Sequence, residues 1–153
     1  MKVSISTFLK TKLKGGCNLL DDITMKIYQA IIDNKEIMEH VPKNNIKFFD
    51  YPNAQEIKDV VIVIDPLDTP KPSDYGDNDN LTYEYFYQID VFVKQKQGVN
   101  GRVLSDRLVF LLQRMMWEVL GFGEASSMKP EYIKEFNIYR QAKRFEGKQY
   151  FNL

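Results

Sequence analysis

Between residues 81 and 95 the chain alternates so regularly that two faces can be read directly. Leu81, Tyr83, Tyr85, Tyr87, Ile89, Val91 and Val93 fall on one side, and Thr82, Glu84, Phe86, Gln88, Asp90, Phe92 and Lys94 on the other. A period of two in β-branched and aromatic residues predicts a long strand. The run before it, residues 65–80 (DPLDTPKPSDYGDNDN), carries Pro66, Pro70, Pro72, Gly76 and five aspartates. That composition predicts a turn series or a mobile loop, and it is where contacts with other molecules are expected.

The same reading extends along the chain. Residues 19–34 place Leu20, Ile23, Ile27, Ala30 and Ile31 at helical spacing, with Asn18 or Asp21 available as the cap. A short helical piece at 36–40 ends before Pro42. Residues 45–51 and 58–65 are of strand type. The second, KDVVIVID, is an unbroken apolar run suited to a central strand covered on both faces. Residues 101–120 form a helix that Asn100 can cap and Gly121 can end. Its stripe is Leu104, Leu108, Leu111, Leu112, Met115 and Val119. Phe110 and Trp117, seven residues apart on its flank, either widen that stripe or mark a subunit contact. A strand at 122–128, a turn at Pro130 and a strand at 136–145 complete the order. The fold class is α+β: a mostly antiparallel β-sheet with a long C-terminal-half helix and an N-terminal helix packed on one face. Residues 1–18, ending in Gly15-Gly16, are expected to form a flexible N-terminal arm, and residues 19–153 a single α+β domain.

Charge narrows the function classes. Twenty-one basic and 21 acidic side chains cancel, so no global field holds nucleic acid or an anionic membrane surface. The local balance is uneven. Residues 65–90 carry seven acids against Lys71, while Lys2, Lys10, Lys12 and Lys14 stand at the start without an acid between them. Such patches are either solvated surface or the two sides of a self-association. The single cysteine, Cys17, has no intrachain disulfide partner and fits a reducing compartment. The first residues are too polar for a signal peptide, and no stretch approaches 18 apolar residues, so no membrane contact is expected.

Catalytic and ligand-binding patterns are missing from the sequence. DNDN resembles the start of a calcium loop, but with Asp77 first, Leu81 stands where an oxygen ligand belongs, Thr82 where glycine is needed and Gln88 where the bidentate glutamate belongs. The one histidine, His40, is expected at the surface, and no serine sits in a G-x-S-x-G setting. Gly121-Phe122-Gly123 follows a helix and is no nucleotide fingerprint. No metal or cofactor is therefore expected. The route left to an enzyme is a carboxylate pair, Asp65/Asp68 or Asp77/Asp79, though such residues ordinarily serve turns. The tail IYRQAKRFEGKQYF interleaves bases with aromatics and leaves a third option, a nucleic-acid adaptor.

Taken together, the N-terminal helix, the β-branched strand, Tyr75-Gly76-Asp77-Asn78-Asp79, the strand from Tyr83 to Phe92, the long helix and Gly121-Phe122 resemble the minor tail components of long-tailed siphophages. More narrowly, residues 19–150 resemble the tail terminator, or tail-completion, family. The resemblance implies a non-enzymatic virion protein, made in the cytoplasm of a host bacterium, that closes into a hexameric ring. Such a ring caps the tail tube, meets the head-side connector or stopper, and lets DNA pass through its lumen without specific binding. Another neck or head-tail joining protein is the alternative within that class. The candidate subunit or partner contacts are Asp74, Tyr75, Asp77, Asp79, Tyr83, Tyr85, Phe86, Phe110 and Trp117. Of these, Asp74, Asp77 and Asp79 are expected on a loop that faces the channel or a neighbouring subunit and orders on assembly.

Overall fold

The computed structural model describes residues 21–150, so the expected arm at 1–18 and its Gly15-Gly16 end lie outside the described residues. The first helix among the described residues, α1 (Ile23–Asp33), is capped by Asp22, whose Oδ1 accepts the Met25 N–H at 3.1 Å; Asp21 is not the cap. Ile23, Ile27, Ala30 and Ile31 are buried as their spacing requires. Asn34 ends α1 and also caps α2 (Lys35–Met38), accepting the Ile37 N–H.

Among the described residues seven strands form one mixed sheet: β1 (Ile46–Phe48), β2 (Val61–Pro66), β3 (Lys71–Gly76), β4 (Asp79–Lys94), β5 (Gly123–Ser127), β6 (Glu131–Ile133) and β7 (Ile138–Tyr150). The spatial order is β1-β2-β4-β7-β5, with β1 and β2 parallel and the other pairings antiparallel. In β2, Val61, Ile62, Val63 and Ile64 are all buried, because α1 and α2 cover one face and the 54–57 segment covers the other. β4 and β7 pair along thirteen successive positions, from Thr82 opposite Tyr150 to Lys94 opposite Ile138, and form the spine of the molecule.

The long helix α3 (Gly101–Leu120) lies across β4 and β7. Asn100 Oδ1 caps it through the Val103 N–H, and Gly121 closes it at φ 70, the left-handed conformation that glycine adopts without strain. Its buried stripe is Gly101, Ser105, Leu108, Val109, Leu112, Met115 and Met116. This is rotated from the predicted one: Leu104 and Leu111 sit at its margin, and Val119 is 63% exposed. The main core lies between the helices and the face of β4 that bears Tyr85, Tyr87, Ile89, Val91 and Val93. A smaller apolar cluster of Ile57, Val61, Val63, Phe92 and Ile138 occupies the opposite face.

The 65–80 run departs most from its prediction. It contains β3, which pairs with the start of β4 through a two-residue turn at Asp77-Asn78, both at positive φ (48° and 64°). That is the backbone twist a tight hairpin demands, and Asp and Asn tolerate it. Pro72 is accommodated because β3 is an edge strand with one side unpaired. With the last residues of β7, the hairpin makes a three-stranded arm built on the first third of β4.

Candidate functional site

The arm carries Asp74, Tyr75, Asp77, Asp79 and, toward its base, Tyr83 among the residues expected to make contacts. Asp74 has φ 52, and its carboxylate accepts the Thr82 hydroxyl at 2.7 Å and the Lys148 ammonium at 2.9 Å. The Thr82 hydrogen bond, and then Lys148, hold the Asp74 carboxyl below its ordinary range. Lys148 also lies 3.5 Å from Glu84. Asp77 stands in the turn and Asp79 just beyond it; Asp79 Oδ1 accepts the Asn80 N–H. Tyr75 and Tyr150 are 73% and 78% exposed. Because Tyr75 pairs with Asn80 and Tyr150 with Thr82, both tyrosines stand on the face of the sheet turned away from the helices. Leu81, on the other face, folds over Gly76.

The remaining candidates divide. Tyr85 is buried in the main core, its ring centroid 6.2 Å from that of Phe122, and burial raises its hydroxyl pKa. It fills the core and offers no contact surface. Tyr83 is half-buried beside it, and Phe86 is half-buried on the opposite face, where it borders a cleft of about 380 Å³ with Lys71 and Lys148. Phe110 and Trp117 are 59% and 55% exposed, so they do not widen the core stripe. Val103, Phe110 and Trp117 recur every seven residues, within about 40° of one line on a helix and roughly opposite Leu112. The result is an apolar seam on the outward side of α3. Arg107 and Arg114 flank it, paired with Glu36 and Glu118.

One feature was not foreseen in the sequence. On the sheet face away from the helices, fully buried Asp90 receives Arg140 through Nε at 2.9 Å and Nη2 at 2.7 Å, and Gln88 Nε2 at 2.7 Å. The Tyr51 hydroxyl lies 2.9 Å from Asp65 and 3.1 Å from Asp90, so its one proton is shared between two carboxylates. Burial, the Asp65 hydrogen bond and the Asp90 charge raise the Tyr51 pKa far above the ordinary phenol value. Arg144 Nε donates to Gln88, and the Arg140 guanidinium stacks over Phe92. Asp90 is saturated with donors, which makes the cluster a structural tie between β2, β4 and β7. Its sequence signal was weak: Gln88 and Asp90 stand on the second face of β4, but their partners come from residues 37 to 56 positions away.

Of the carboxylate pairs open to an enzyme, Asp65 and Asp68 are divided between Tyr51 and Lys71, whereas Asp77 and Asp79 stand together at the hairpin tip. Among the described residues no three His, Cys, Asp or Glu side chains gather as a metal requires, and no helix is long and apolar enough to cross a membrane. Comparison of the sequence with models of known protein families and with curated proteins finds no match.

Proposed function

We propose that this protein is a structural subunit of a siphophage virion, of the tail-terminator or tail-completion kind, acting as a ring that caps the tail tube and meets the head-side connector. The observation that carries the reading is the seam of Val103, Phe110 and Trp117, turned away from the core on the longest of the described helices. Large aromatics aligned on the outside of a well-packed domain mark surface that another protein covers. The α+β architecture agrees with the resemblance drawn from the sequence. The arm supplies a second surface of different shape, as a ring built from identical subunits needs. In such a ring the function resides in surfaces, with DNA passing through the lumen.

The test is the mass and shape of the purified full chain. Light scattering over a wide concentration range, with electron microscopy, is expected to give closed rings of about six copies of the 18.0 kDa chain, alone or on the ends of isolated tail tubes. A protein that stays monomeric and ignores tube ends would refute the proposal.

A further inference from the structure

Resting on that reading, we infer that the ring closes head to tail, with the arm of one subunit laid on the α3 seam of the next. The two surfaces differ in every respect that decides how copies can meet. The seam is a row along a helix, and the arm is a hairpin face bearing Tyr75 and Tyr150. Identical patches facing across a two-fold axis would close a dimer, whereas two unlike patches propagate and close into a ring.

Charge favours this pairing over seam against seam. Residues 71–84 hold four acids against Lys71, and Lys148 engages Asp74 and Glu84, which leaves the tip pair Asp77 and Asp79. Arg107 and Arg114 border the seam, each held by one exposed carboxylate, Glu36 and Glu118. Seam against seam would bring like ion pairs together and add no uncompensated charge of opposite sign. Arm against seam brings the acidic tip to those arginines, and exposed ion pairs such as Arg107–Glu36 exchange partners at little cost.

The area is of the right order. At their observed exposures, Phe110, Trp117, Tyr75 and Tyr150 present roughly 400–650 Å² if each aromatic can bury about 150–250 Å². That is the apolar centre of an interface of about 1,200–2,000 Å², the remainder being polar rim.

The experiment uses two full-length variants, Trp117→Asp with the seam spoiled and Tyr75→Asp/Tyr150→Asp with the arm spoiled. All three positions are exposed, so both variants should keep the wild-type circular dichroism and melting temperature. Each alone is expected to be monomeric, with self-association weakened at least about a hundredfold. Mixed in equal amounts, they should form a dimer that grows no further, because one intact arm and one intact seam remain. A mixture that stays monomeric under the conditions in which the wild type forms rings, tube ends included where it needs them, overturns the head-to-tail contact. So does a Trp117→Asp variant that still forms rings, a result that leaves the ring reading standing. A wild type that never multimerises, free or on tube ends, removes both.

Discussion

Gly147 shows how tightly single positions are determined. It lies opposite Tyr85 in the β4–β7 ladder, and a Cβ there would stand 2.3 Å from Cδ1 of Phe122, a fully buried ring wedged against Tyr85 and Tyr87. Neither the ring nor the strand can yield, so Gly147→Ala is expected to destabilise the fold by about 1–3 kcal/mol. A thermal melt should record a fall of several degrees, at about 2–4 °C per kcal/mol for a chain of this size; an unchanged melting temperature would mean the close approach is absent. Nothing in the sequence pointed to Gly147, because its neighbour Phe122 is 25 residues away. Asp90 was half legible. Alternation assigned it to the second face of β4, but its burial depends on Tyr51 and Arg140, which sequence spacing cannot bring together. Trp117 was likewise placed beside the stripe, and only the true rotation of the helix, set by Ser105, Val109 and Met116 facing the sheet, turned it outward.

Among the elements, those with local signals were readable. Asn100 and Gly121 delimit α3 as expected, and the apolar run at 61–64 is a strand buried on both faces. The hairpin was missed because prolines and aspartates argue for a loop, whereas Pro72 sits on an edge and Asp77-Asn78 supplies the turn. Short β6 escaped for a different reason: three residues give no period, and only pairing with β7 makes them a strand. The arm makes its own prediction. Asp74 is held below the usual carboxylate value of 3.8 by Thr82 first and Lys148 second. A depressed folded-state value means that this tie is complete above the ordinary range and is lost as pH falls through the lowered one. Thr82→Val keeps the shape and removes the hydroxyl, so the Asp74 titration, followed by carboxyl carbon NMR, should move upward. If it does not move, the hydroxyl contact is not what depresses it.

At the scale of the whole molecule, the question is whether the bases of the tail are available to anything outside it. β7 was readable as an alternation of bases and aromatics, the pattern that kept a nucleic-acid adaptor open. In the folded chain those bases are engaged: Arg140 with Asp90 and Glu131, Lys143 with Glu124, Arg144 with Gln88, and Lys148 with Asp74 and Glu84. At Arg140 a phosphate would have to displace the fully buried Asp90, and at Lys143 the largely shielded Glu124, and equal numbers of acids and bases leave no net field to compensate. Affinity for nucleic acid grows with each phosphate neutralised and declines steeply with salt. A chain whose cations are internally matched releases few counterions on contact. Duplex DNA should therefore bind no more tightly than about 10⁻⁴ M at physiological salt, the weak limit of non-specific association, with a shallow salt slope. Fluorescence anisotropy of a labelled duplex over a range of salt concentrations measures both quantities. Micromolar binding with a steep slope would move the protein to the adaptor class, whereas weak, salt-insensitive binding is what a conduit for DNA requires, since phosphates held at the wall would slow the passage of the polymer.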